Sequence, residues 1–418
     1  MFYRNIISEL NEWSERKNRK PLVLRGARQV GKTTAVHFFA QKFGSYIHLN
    51  LEKPADRSIF ETSQPFSYIL DSIFFLKKKP RIENNTLIFI DEIQYCPEAV
   101  ALLRYFYEEA PQLHVIAAGS LLESLIDRNI SFPVGRVEYL AVRPCSFTEF
   151  LGALDEKTFQ EALKQWPFPL YAHQPLASLF NRYAFIGGMP AAVADYAQNN
   201  NLDGLQKIYQ SLLAGYIDDV EKYANRNSTI QYIRHILRTG FKYGGQRIKF
   251  ERFGESEYRS REMGEAFRTL EKTMLLELVY PATGARLPVL PDYKKSPKLM
   301  WLDSGLLNFA AGIQTEVFGA TNLTDAWRGI VAEHITGQEL LALNSSVLAH
   351  RFFWVRQAKN SNAEVDFLLP FKEYLIPVEV KSDAGTTLKS LHQYMDLAPH
   401  TMAVRFWGHP FQENQIKT

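Results

Sequence analysis

At 418 residues and 48.1 kDa the chain is long enough for roughly two to four domains. Its 46% hydrophobic and 22% charged residues are ordinary globular usage, which excludes disordered, collagen-like and low-complexity architectures. A net charge of +3 is too mild to identify a nucleic-acid partner, so any basic surface must be local. The two cysteines, Cys96 and Cys145, belong to no CxxC or Cys/His cluster; they point to a reducing compartment and away from a zinc or disulfide framework.

The first twenty residues lack an apolar export core, and Ile6, Leu10 and Trp13 fall on one helical face instead. No apolar run reaches the ~18 residues of a spanning helix. The expectation is a soluble, cytoplasmic protein with no membrane partner. Residues 1–150 then alternate strand-length apolar runs with helical patterns: PLVLRG, YIHLNLE, TLIFIDE, LHVIAAGS and VEYLAVRP. Such alternation predicts an α/β fold with a parallel sheet covered on both faces.

Residues 151–240 read as helical, forming a lid. They follow a capping box at Ser146 and Glu149 and are punctuated by FIGGMPAAV. Residues 241–310 carry short helices, then LLELVYPA, RLPVL and KLMWLD, the order of a winged-helix-like region. Residues 311–418 open with a helix, WRGIVAEHITGQELLAL. Strands follow at RFFWVRQ, AEVDFLLP and YLIPVEVKS, then a helix near LKSLHQYM and a strand at TMAVRFW.

The strongest motif is Gly26-Ala27-Arg28-Gln29-Val30-Gly31-Lys32-Thr33, a GxxxxGK[ST] loop between a strand and a helix that continues through Thr34. Glycine permits backbone angles that aim amide N–H groups at a phosphate, and the helix N-terminus adds its positive end. Lys32 would neutralise the β- and γ-phosphates, and the Thr33 hydroxyl would ligate Mg²⁺. The implied ligands are ATP or ADP with Mg²⁺. Further on, four apolar residues end in Asp91-Glu92. Asp91 would hold the metal through water, and Glu92 would act as general base on the attacking water. Ser120 ends the next strand, as a γ-phosphate sensor or a helix N-cap. Arg136 reads either as an arginine finger, for its own or a neighbouring subunit, or as a surface arginine.

Together LRGARQVGKTT, LNLE, FIDEIQ, AAGSLLESL and GRVEYLAVRPCSFTEFL resemble the AAA-type P-loop ATPases of bacteria and archaea related to the signal-transduction ATPases. The resemblance continues through FIGGMPAAV, YIDDVEKYA, KLMWLDSGLL, EVDFLLP and PVEVKS, over nearly the whole chain. It implies an N-terminal ATPase followed by a C-terminal domain likened to the restriction-endonuclease fold. One departure, Pro144-Cys145-Ser146 where Pro-Leu-Ser is the pattern, is conservative.

That C-terminal domain carries Asp366-x12-Glu379-x-Lys381, the PD-(D/E)xK arrangement, with Glu333 on the preceding helix and Gln393 on a later one. Two carboxylates would bind a divalent ion and the lysine would stabilise a phosphorane; a polar hairpin face on a fold that has lost catalysis is the competing reading. The stretch YRSREMGEAFRTLEKT has Arg259, Arg261, Arg268 and Lys272 to meet DNA, but interleaved glutamates make it nearly neutral. Two functions stay open: an ATPase that moves its C-terminal domains and acts on DNA, or a regulatory NTPase switch for protein partners with an inert nuclease-like module. An oligomer is compatible with both.

Overall fold

The computed structural model describes residues 2–119, 132–220, 227–313, 325–357, 363–381 and 388–413. The chain divides into two compact units. One comprises residues 3–143 with 344–348; the other comprises the remaining residues. Among the described residues no helix is long and apolar enough to cross a membrane.

The first unit is built on five parallel strands in the order β2-β3-β4-β1-β5: β1 (Leu22–Arg25), β2 (Ser45–Asn50), β3 (Thr86–Asp91), β4 (His114–Gly119) and β5 (Glu138–Ala141). Four lie within the apolar runs of the sequence, and β2 begins one residue before its run. Strands β3 and β4 are buried at every position, whereas the edge strand β2 alternates buried and half-buried residues. A strand covered on both faces must be apolar throughout, which is why TLIFI and VIAA show no alternation. The helices Ile6–Glu15, Lys32–Phe39, Phe66–Leu76 and Pro97–Glu109 accompany the sheet. Ile69, Leu70 and Ile73 from one and Val100, Leu103 and Phe106 from another share a core cluster with Ile88 and Ile90 of β3. Beyond β5, the Ala141 amide donates to the Ser345 carbonyl at 2.7 Å, which ties residues 344–348 to this unit.

In the second unit the capping box is present: the Glu149 amide donates to Ser146 Oγ, and the Ser146 amide donates to Glu149. Helices Leu170–Ile186 and Pro190–Asn199 flank the Gly-Gly of FIGGMP. Asp303, from WLDSGLL, is fully buried there. Its carboxylate accepts N–H groups of Gly188 and Leu306 and the hydroxyl of Tyr209. A Cβ on Gly187, whose φ is +84°, would strike that carboxylate, so the two phrases explain each other.

Helices Asn227–Thr239 and Ser260–Lys272 precede an antiparallel pair, β6 (Leu276–Val279) and β8 (Lys298–Trp301). Between them β7 (Pro281–Ala282) joins the mixed sheet β12-β11-β10-β9-β7. The other members are β9 (Phe352–Val355), β10 (Glu364–Phe371), β11 (Tyr374–Val380) and β12 (Val404–Phe406). That sheet therefore takes a strand from before residue 310. RLPVL forms no strand.

Candidate functional site: a nucleotide loop and a carboxylate cluster

Parallel strands all end at one edge, and the phosphate loop leaves β1 there. Gly26 cannot carry a side chain, because a Cβ would collide with the Val142 carbonyl oxygen. Gln29 and Gly31 take positive φ of 65° and 93°, and Gly31 caps the helix Lys32–Phe39. Backbone of this alternating hand turns successive N–H groups inward, which makes an anion-binding concavity.

Lys32 is buried and its Nζ donates to the Gly26 and Ala27 carbonyls at 2.8 and 2.9 Å. Burial pushes its pKa down to about 8, against the pull of Glu92 and Asp91. A bound polyphosphate favours the charged ammonium, so the sign of the pH effect follows. Below pH 8 the lysine is already protonated; above it, binding must take up a proton. Nucleotide affinity should hold steady to about pH 8 and then fall by up to about tenfold per pH unit, where the nucleotide's own phosphates no longer titrate. Dissociation constants measured from pH 7 to 9.5 check this, and a flat profile contradicts it.

Asp91 ends β3 and Thr33 is the second residue of the loop helix, and the two meet. Thr33 Oγ1 donates to Asp91 Oδ2 at 2.9 Å, and the Glu92 amide donates to Asp91 Oδ1 at 3.1 Å. Hydroxyl and carboxylate oxygens beside a phosphate loop are hard donors that suit Mg²⁺. Glu92 adopts φ +54° and its carboxylate accepts from the Gln94 amide. Burial raises the Glu92 pKa; the Gln94 hydrogen bond opposes that and Asp91 adds to it. A more basic carboxylate at this point is what a general base needs.

The motif search overlooked two residues here. Gln94 holds Glu92, and its spacing two residues on from Glu92 was a readable signal. His48, on β2, brings Nε2 to 3.5 Å from Asp91 Oδ2 and meets the His37 ring edge-on at 5.0 Å. It carried no motif; only the sheet register, which pairs His48 with Phe89 and Asn50 with Asp91, brings it in.

Ser120 lies outside the described residues. Arg136 lies at the far edge of the sheet from the loop. It precedes β5, whose first residue Glu138 pairs with Leu22, the first of β1. Its Nε donates to Glu108 Oε1 at 2.7 Å, at the end of the helix Pro97–Glu109 that runs back to the start of β4. The four residues of β5 span about 10–13 Å. Arg136 is therefore not brought to the phosphate loop of its own chain.

In the second unit the antiparallel register Phe367↔Val378 sets Asp366 against Glu379. Asp366 sits where the pairing of β10 with β9 is irregular, and its Oδ2 accepts the Val380 amide at 2.8 Å. Glu379 Oε1 pairs with Lys381 Nζ at 2.6 Å. Glu333 joins from the helix Asp325–Ala342. All four predicted residues thus belong to one cluster, while Gln393 accepts instead from Arg356.

Two residues absent from the motif complete the cluster. Glu364 lies two positions before Asp366 on β10, a spacing that puts both on one strand face. Lys298 enters from β8 and places Nζ 2.6 Å from Glu333, 2.7 Å from Glu364 and 3.9 Å from Asp366. The helix Ser260–Lys272, considered above for DNA, buries Met263, Ala266, Phe267 and Leu270 and pairs Arg261 with Glu265.

With these sites described, residues 18–151 match the AAA domain family. Residues 177–317 and 328–415 match two domains of unknown function, DUF8612 and DUF4143.

Over residues 18–151 the chain is thus similar to an AAA domain.

An uncharacterised domain forms its C-terminal part. Among solved structures, the Walker-type ATPase PABY2304 of Pyrococcus abyssi is similar at 15% identity and a TM-score of 0.46, over 74% of this chain and 96% of that one. PCH-2 of C. elegans is similar at 15% identity and a TM-score of 0.25, over 42% of this chain and 52% of that one. No curated protein matches.

Proposed function

We propose that the chain is a Mg²⁺-dependent ATPase whose nucleotide state moves its C-terminal domains, with Glu92 as general base. The observation that carries this is the meeting of Lys32, Thr33, Asp91 and Glu92 at one sheet edge around a loop of inward N–H groups. Thr33 and Asp91 would hold Mg²⁺, which when bound would supply positive charge to the β- and γ-phosphates. Lys32 exchanges its two loop carbonyls for phosphate oxygens. Glu92, oriented by Gln94, takes the proton of the attacking water.

As a finger Arg136 would act in trans, on the nucleotide of a neighbouring subunit, since its own loop is out of reach; its pairing with Glu108 fits the alternative, a surface arginine. A finger contact forms mainly in the transition state, so Arg136→Ala should lower kcat and leave nucleotide affinity nearly unchanged. Mixing Arg136→Ala with Lys32→Ala protein should restore activity, because a mixed interface pairs an intact loop with an intact arginine. Mixed oligomers without restored turnover would refute the trans role.

For the C-terminal domain, the mixed sheet with Asp366, Glu379 and Lys381 supports a nuclease-like fold, and residues 241–310 are read as winged-helix-like from the helix Ser260–Lys272 followed by the β6–β8 pair. The buried Lys298 among the acids favours the second function left open by the sequence: a regulatory switch whose nuclease-like module does not cleave. ATP turnover with and without single- and double-stranded DNA separates the partners. Turnover indifferent to DNA supports the switch; stimulation by DNA supports a DNA-directed motor.

A further inference from the structure

A divalent ion at a PD-(D/E)xK site needs carboxylates with uncompensated charge aimed at one point. Here the carboxylates are already engaged. Glu333 and Glu364 each touch the Lys298 ammonium, and Arg247 lies 3.9 Å from the second oxygen of Glu364. Asp366 gives one oxygen to the Val380 amide and turns the other toward Lys298. Glu379 gives one oxygen to Lys381, and its Oε2 is buried with no hydrogen-bond partner. Four carboxylates thus face three cations. Among the described residues no three His, Cys, Asp or Glu side chains converge closely enough to hold a metal ion.

Lys298 is not a surface lysine that has swung in. Its side chain is 3% exposed, it starts the buried strand β8, and its Nζ lies 4.7 Å from the centre of the Phe353 ring. Burial works against its charge, yet Glu333, Glu364 and Asp366 outweigh that and hold its pKa above the ordinary lysine value. Burial raises the Glu333 pKa even with Lys298 beside it. A buried ion set of this kind is strongly destabilised when one partner is removed, because the remaining charges lose their compensation.

We propose that the Lys298 ammonium is the resident cation of this cluster, standing in for the divalent ion of a nuclease, so that the domain takes Mn²⁺ or Mg²⁺ only once Lys298 is removed. This rests on the non-cleaving reading of the C-terminal domain and gives it a cause in a single side chain.

The test is Mn²⁺ binding to the full chain without nucleotide, by electron paramagnetic resonance of free Mn²⁺. An Asp91→Asn background removes the phosphate-loop site. The Asp91→Asn protein should show no site in the C-terminal cluster. Adding Lys298→Met, which keeps the apolar stem and deletes the charge, should create one site at least about tenfold tighter than any in the background, a difference of about 1.4 kcal/mol. A further Asp366→Asn should abolish it. A folded Lys298→Met protein that gains no site would overturn the proposal. So would an Asp91→Asn protein that binds one equivalent of Mn²⁺ and loses it on Asp366→Asn, a result that does not depend on the Lys298 variant folding. Cutting of plasmid DNA by the wild type would sink the non-cleaving reading itself, whereas Mn²⁺ binding without cutting would sink only the resident-cation proposal.

Discussion

Lys32→Ala abolishes productive nucleotide binding. Lys32 is the cation that the loop buries beneath its own carbonyls, and its charge is maintained against burial partly by Glu92 and Asp91. A polyphosphate entering the loop replaces two neutral acceptors with anionic ones, so the ammonium gains direct charge–charge attraction. Truncating one partner of a buried, hydrogen-bonded charge pair costs about 2–5 kcal/mol. That is a loss of roughly thirtyfold to several thousandfold in affinity. Titration with a fluorescent ATP analogue measures it. Circular dichroism of the variant separates lost binding from a lost fold. An Ala variant that binds nucleotide as tightly as the wild type would remove Lys32 from the phosphate site.

Glu92→Gln should do the opposite: keep nucleotide and stop turnover. The amide has the shape of the carboxylate and accepts the same Gln94 contact through its oxygen, but it takes no proton at neutral pH. General-base catalysis contributes about 10²–10⁴-fold, so kcat should fall by that factor while the dissociation constant stays within a fewfold of wild type. Single-turnover phosphate release separates the two. Wild-type turnover in Glu92→Gln would assign the base to another group.

The parallel-sheet unit was legible because its signals are local. The central strands β3 and β4 coincide with continuous apolar runs and the edge strand β2 with an alternating one, and the loop and the Asp91-Glu92 pair are short motifs whose spacing is set by backbone geometry. His48 was not legible, since nothing in its own neighbourhood marks it; only the pairing of β2 with β3 carries it to Asp91. Gly26 shows the same limit from the other side. Its glycine is read from the motif, but its physical need is the Val142 carbonyl, which arrives with the exit from β5.

The C-terminal cluster divides along the same line. Asp366, Glu379 and Lys381 follow from strand alternation and a tight hairpin, and Glu364 follows from the same alternation two residues earlier. Lys298 has no such handle. It sits on β8, in a segment read as part of a winged-helix-like region, and comes to the acids by tertiary packing alone. Its arrival also changes what the motif means, because a pattern of carboxylates says nothing about the cation that already neutralises them.

The central claim is that Lys32, Thr33, Asp91 and Glu92 form a working Mg²⁺-dependent hydrolytic site, and steady-state phosphate release from ATP by the full chain tests it most directly. Turnover in Mg²⁺ that disappears in EDTA and in Glu92→Gln is the predicted result. Folded wild-type protein that releases no phosphate under any of these conditions, or that releases it equally in EDTA, would contradict it.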